Sequence, residues 1–216
     1  MRLLDHTAFI FDLDGTLIDS AAQIMHCLRV AFMQAGRAAD ESLFVPRRVG
    51  PPIRQILADI DPALPGTAVA EEIVSHFRAL YDHTANDPSR LYPHVQTVLT
   101  RLQTLQKPLF VATFKPKIPV GRLLEQLGLT NTFQEVYTID KYAAPMTKTQ
   151  MVQDLIQKHH LPAQTTLLLG DMMSDLNAAH AAGARSAACL WGYAQDKEAL
   201  SRAADYVFTS PEELLQ

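Results

Sequence analysis

Phe9-Ile10-Phe11-Asp12-Leu13-Asp14-Gly15-Thr16 is the stretch on which the fold turns. It begins as a short apolar, β-prone run and changes character at Asp12, and Gly15 permits a tight turn that a bulkier residue would resist. Two carboxylates, two residues apart, therefore stand just beyond the carboxyl end of a strand, which is where open α/β sheets receive ligands. A strand's period of two sends Asp12 and Asp14 toward the same side. Such a pair suits a hard, oxygen-seeking cation or nucleophile-plus-acid chemistry. Asp-Gly is also a common turn pair, so the stretch alone leaves a plain solvated turn open.

Outward from it, apolar β-prone runs at 8–11, 109–113, 135–139, 166–169, 186–190 and 206–208 alternate with amphipathic segments at 93–105, 119–127, 147–159 and 175–182. This is the pattern of a parallel sheet covered by helices. Ser174 is the expected cap of the last of these helices, and Gly128 and Gly183 stand where helix C-caps belong. The interval 17–91 breaks the alternation: it reads as helix after helix with no clear strand, punctuated by Gly50-Pro51-Pro52 and Leu64-Pro65-Gly66. It is expected to be an inserted helical domain, leaving a core domain of residues 1–16 and 92–216 through two hinges and creating a cleft between the two. The expected fold class is α/β, a Rossmann-like parallel sheet with helices on both faces plus an inserted α-helical cap.

A chain of 216 residues, 48% hydrophobic, is long enough to bury a core without staples. A formal net charge of -4, with no long run of Lys and Arg, gives no bulk attraction to nucleic acid or anionic lipid. Cys27 and Cys189 sit among apolar neighbours and read as buried reduced thiols. The start, Met1-Arg2-Leu3-Leu4-Asp5-His6, turns acidic before an apolar run can grow, and no stretch approaches a membrane span. A cytoplasmic protein, monomeric or weakly dimeric, is expected.

A second acidic pair follows the fourth strand candidate, in Leu169-Gly170-Asp171-Met172-Met173-Ser174-Asp175. Asp171 emerges beside the first strand and can complete a Mg²⁺ site with Asp12 and Asp14, while Asp175 either supports that site or serves as a first-turn helix acid. Thr113 ends the second strand with a hydroxyl suited to a phosphoryl oxygen. Lys148 stands at a predicted helix start, where the dipole disfavours a cation, and so hints at an anionic partner.

Asp-x-Asp-Gly-Thr, then a strand-end Thr, then Lys, then Gly-Asp-x-x-x-Asp, in that order, resembles the haloacid-dehalogenase-like hydrolase superfamily, and most nearly its phosphoglycolate-phosphatase-like branch with a helical cap. The resemblance implies a phosphatase in which Asp12 is the nucleophile and a metal ligand. Asp14 would be general acid and then base, lending its backbone carbonyl to Mg²⁺. Asp171, with Asp175 in support, would complete the metal site, and Thr113 and Lys148 would hold phosphoryl oxygens. The chain departs from the family pattern at Phe114, where a small or polar residue is common, and before Lys148, where Lys-Pro-x-Pro is missing. Lys141 is the rival for the phosphate-binding role; Lys148 is favoured because it opens a helix, as that lysine does in the family.

Substrate choice is expected to lie in the cap, with Gly50 and Arg54 as specificity residues in Arg47-Arg48-Val49-Gly50-Pro51-Pro52-Ile53-Arg54, where three cations suit a second anionic group on a small phosphate ester or, equally, form a solvated basic loop. No lysine occurs from 17 to 106, which argues against Schiff-base phosphonate cleavage, and Asp14 argues against dehalogenation. A phosphomutase or pyrophosphatase on the same core, and a non-enzymatic binding scaffold, are the alternatives.

Overall fold

The computed structural model describes residues 5–84 and 87–215; residues 1–4, 85–86 and 216, which the expected domain ranges also span, lie outside it. In chain order, β1 (Ala8–Phe11) and β2 (Ile18–Asp19) precede helices α1 (Ala21–Gln34), α2 (Ile53–Ile60) and α3 (Ala68–Tyr81), followed by β3 (Arg90–Leu91). Thereafter helix and strand alternate as α4 (Val95–Thr104), β4 (Leu109–Ala112), α5 (Lys117–Gln126), β5 (Glu135–Tyr137), α6 (Lys148–Lys158) and β6 (Thr166–Gly170). The chain closes with α7 (Met173–Ala181), β7 (Arg185–Cys189), α8 (Lys197–Ala203) and β8 (Tyr206–Phe208).

Six strands form one parallel sheet in the order β5-β4-β1-β6-β7-β8. Phe9 pairs with Leu109 on one side and Leu167 on the other, so β1 is central and its side chains are covered on both faces. Phe9, Phe11, Val111 and Leu169 point to one face and pack with Val98 and Leu102 of α4 and Leu123 of α5. Ile10, Phe110 and Leu168 point to the other, against Met151 and Leu155 of α6 and Ala178 of α7. Burying each such side chain contributes about 1.5–3 kcal/mol, so these two layers, and not the surface ion pairs, hold the sheet. From β1 the chain goes to β4 and β5 on one side, then crosses to β6 on the other, which leaves a crevice at the carboxyl end of β1.

Helices α1 to α3 gather around a separate cluster that includes Leu28, Phe32, Leu57, Ile73 and Phe77. The interval is not free of strand: β2 and β3 pair antiparallel, Ile18 with Leu91 and Asp19 with Arg90, and tie its two ends together. Two residues per strand are too few for alternation to register in sequence. A second correction concerns α7, whose N-cap is Met172, with Ser174 already inside the helix. Gly128 and Gly183 follow α5 and α7 with φ of 70° and 71°, as their placement implied. Cys27 and Cys189 are buried and free. Among the described residues, no helix is long and apolar enough to cross a membrane.

Candidate active site

Asp12 leaves the end of β1 with its amide donating to Leu169 O at 2.9 Å, so the chain is still held by the neighbouring strand when it reaches the carboxylate. A tight loop follows, in which the amides of Leu17 and Ile18 both donate to Leu13 O at 3.0 and 2.9 Å. Gly15 takes φ 86° there, and a Cβ on it would lie 2.2 Å from Asp171 Oδ2. Glycine is thus required both by the turn and by the closeness of the second acidic loop.

Asp12, Asp171 and Asp175 are all buried and offer oxygens within 4.8 Å of one another. Thr16 Oγ1 donates to Asp171 Oδ1 at 3.2 Å and the Tyr193 amide to Asp171 Oδ2 at 2.7 Å. Asp175 occupies the third position of α7, and its Oδ2 accepts from the Met172 amide at 3.0 Å. Asp175 is thus a first-turn acid of α7, and its Oδ1 reaches Lys148 Nζ at 3.0 Å without a hydrogen bond of good geometry. Asp14 is not part of this trio. Its carboxylate turns to Lys115 Nζ at 2.8 Å and accepts from Ser20 Oγ, so any share it has in a metal site falls to its backbone carbonyl.

Lys148 is the first residue of α6, entered through a capping box made by Thr147 and Gln150. The side chain returns to the sheet, where Nζ donates to Asp12 Oδ1 at 2.6 Å and Ala112 O at 2.9 Å. Phe114, the departure noted in the sequence, lies with its ring centroid 5.0 Å from Nζ. Lys141 is elsewhere: it pairs with Glu135 at the sheet edge, in a cluster with Lys158 and His159. Thr113 is buried immediately after β4, with Oγ1 accepting from the Lys115 amide at 3.1 Å and its hydroxyl proton left for another acceptor.

Burial pushes the Asp12 carboxyl upward, partly offset by Lys148 and reinforced by Asp175 and Asp14. Asp171 is raised well above the ordinary carboxylate value by burial and by the charges of Asp12 and Asp175. At formal charges, Asp12, Asp14, Asp171 and Asp175 exceed Lys115 and Lys148 by two negative charges. The cluster offers only oxygens and carries a carboxylate excess, which fits a divalent cation.

A cavity of about 520 Å³ opens over the carboxylates, lined by both parts of the chain, including Asp12, Asp14, Thr113 and Lys115 from the core and Gly50, Arg54 and Tyr81 from the helical interval. The basic turn is largely spent on its own surroundings. Of its three arginines, Arg54 forms a two-pronged pair with Glu71, and Arg48 Nη1 donates to Asp59 O at 2.8 Å. Gly50 lies against the core loop instead, where a Cβ would be 3.0 Å from Met172 Cγ.

Sequence reasoning missed three residues here. Lys115 is buried between Asp14 and the Tyr81 hydroxyl; its one sequence signal is a lysine two positions past the strand-end Thr113 and immediately before Pro116. Ser20 belongs to no motif read from the sequence, yet its Oγ donates to Asp14 Oδ1. Tyr193 accepts through its hydroxyl from the amides of Ser20 and Ala21 at 2.9 and 3.1 Å while donating to Asp19 at 2.7 Å, so the loop after β7 braces the first hinge.

A parallel sheet with a buried carboxylate cluster and two lysines at its carboxyl edge, roofed by a helical insert, defines the class as a haloacid-dehalogenase-like α/β fold. The chain belongs to the haloacid dehalogenase-like hydrolase family, whose family model matches residues 9–189. It is similar to the phosphoglycolate phosphatase of Aliivibrio fischeri, 32% identical over 85% of this chain and 83% of the relative. It is also similar to that of Vibrio cholerae, 30% identical over 91% and 90%. A solved haloacid dehalogenase-like hydrolase from Streptococcus pneumoniae superposes with a TM-score of 0.86 at 25% identity, over 98% of each chain.

Proposed function

We propose that this protein is a Mg²⁺-dependent phosphomonoester hydrolase that acts through an aspartyl phosphate on Asp12. The observation that carries the reading is the convergence on Asp12 of a buried lysine and two further buried carboxylates at the floor of a cavity large enough for a small metabolite. Asp12 attacks the phosphorus in line with the leaving oxygen. Asp14, held beside the cavity, protonates that oxygen and then takes a proton from the water that hydrolyses the acyl phosphate. Thr113 and Lys148 hold the transferring phosphoryl oxygens. Asp12, Asp171 and the Asp14 carbonyl would hold Mg²⁺, with Asp175 in support; when bound, the ion offsets phosphoryl charge and neutralises the carboxylate excess.

The substrate is a small phosphorylated metabolite of the phosphoglycolate kind, a reading supported by the named relatives. Gly50 shapes the cavity roof, and Arg54 serves it from its pair with Glu71. We further propose a cytoplasmic monomer or weak homodimer with no nucleic-acid or membrane partner. The test is phosphate release from p-nitrophenyl phosphate and a panel of small phosphate esters, with Mg²⁺ and with EDTA. Metal-dependent release ranked by substrate is expected; phosphoryl transfer to a second hydroxyl without net release would move the assignment to a mutase.

A further inference from the structure

Among the described residues, Lys115 is the one buried cation at this site that the phosphoryl chemistry above does not use. It extends from the loop between β4 and α5, with its side chain 3% exposed, and its Nζ lies 2.8 Å from Asp14 Oδ1 and 2.6 Å from the Tyr81 hydroxyl. Ser20 Oγ also donates to Asp14 Oδ1, so two donors fix one oxygen. Among the described residues no hydrogen bond reaches Oδ2, which leaves that oxygen of a cavity-lining side chain to carry and deliver a proton.

Tyr81 belongs to the helical insert. It is the last residue of α3, 2% exposed, with its ring stacked on Phe77 at 5.2 Å. Its carbonyl accepts from Arg122 Nη2 of α5 at 3.1 Å, and the same guanidinium group reaches the buried Asp87 at 3.0 Å. The end of α3 is therefore held by two core cations, one on its backbone and one on its hydroxyl. The second of these is also the partner of Asp14.

From this we infer that Lys115 and Tyr81 are positioning residues that orient the Asp14 carboxyl toward the leaving oxygen and make that orientation depend on the seating of the helical insert over the core. The inference rests on the phosphatase reading and adds to it a link between the insert and the proton donor. Its physical content is geometric. An acid delivers a proton only when its free oxygen is within hydrogen-bond reach of the acceptor, and a carboxylate pinned through one oxygen has that freedom removed.

A proton donor matters in proportion to how poor the leaving group is. The experiment therefore compares steady-state kinetics on p-nitrophenyl phosphate, whose phenolate leaves readily, with an alkyl phosphate, whose alkoxide needs the proton, for wild type, Lys115→Met and Tyr81→Phe. Positioning predicts a kcat ratio of aryl to alkyl substrate that rises on the order of 100-fold in Lys115→Met, the scale of a general acid's contribution. It predicts a rise of roughly 10-fold in Tyr81→Phe, where one hydrogen bond from the charged Lys115 ammonium is lost. Thermal melts run alongside, and if Lys115→Met does not melt cooperatively, Tyr81→Phe, which keeps the ring, carries the test alone. Equal loss on both substrates, or a change confined to KM, would overturn the inference and make Lys115 a packing or substrate-binding residue. Wild type that is folded yet inactive on every ester would instead overturn the phosphatase reading beneath it.

Discussion

Lys148 Nζ lies 2.6 Å from Asp12 Oδ1, joining a residue at the start of α6 to one at the end of β1, with both side chains more than nine-tenths buried. Neither charge is tolerable there alone. Burial disfavours the ammonium, but Asp12 and Asp175 hold its pKa above the ordinary lysine value. Replacing Lys148 with Met is expected to destabilise the metal-free chain by about 3–5 kcal/mol at pH 8, the cost of leaving a buried charge unpaired. At pH 5 Asp12 escapes by taking a proton, so the loss shrinks. Denaturant melts in EDTA at the two pH values check this.

The raised carboxyls also set how metal binding follows pH. Asp12 is pushed up to about 7 from an ordinary value of 3.8, so through that window the folded chain holds more protons than the unfolded one. Stability of the metal-free protein accordingly falls as pH rises through it. A cation must displace those protons, so Mg²⁺ affinity is expected to rise by about tenfold per pH unit for each proton released. Calorimetric titrations at pH 5.5, 6.5 and 7.5 should show this trend; an affinity indifferent to pH would mean that the raised carboxylates, Asp12 and Asp171, are not the ligands.

Two glycines give opposite expectations. A Cβ at Gly192 would lie 2.3 Å from Asp171 Cβ and 2.4 Å from Gly15 O, so Gly192→Ala must push the loop after β7 off the acidic cluster. It is expected to cost about 1–3 kcal/mol and to weaken Mg²⁺ binding. Gly121, inside α5, has nothing within 4 Å of such a Cβ, and Gly121→Ala is expected to stabilise by roughly 1 kcal/mol with metal binding unchanged. Chemical denaturation with a Mg²⁺ titration of each variant separates the two.

Much of this architecture is legible in the sequence. The strand preceding Asp12 is apolar throughout, so its ending was marked by the carboxylate itself, and Asp171 repeats that signature after β6. What escaped the sequence was whatever depends on a distant partner. Lys115 is an unremarkable lysine until Tyr81, 34 residues earlier, is folded over it. Arg54 reads as a free cation until Glu71 is brought against it by the packing of α2 on α3. Lys148 is favoured in sequence over Lys141, seven residues earlier, because it opens a helix; the turn into α6 sends Lys148 to Asp12, while Glu135 retains Lys141 at the sheet edge.

Rapid acid quenching of turnover with Mg²⁺, followed by peptide mass spectrometry, tests the role of Asp12 most directly. A phosphoryl group on the peptide carrying Asp12, formed only with the cation and missing in Asp12→Asn, is the expected result. Substantial phosphate release by the Asn variant, or a phosphoryl group trapped on a different residue, would contradict it.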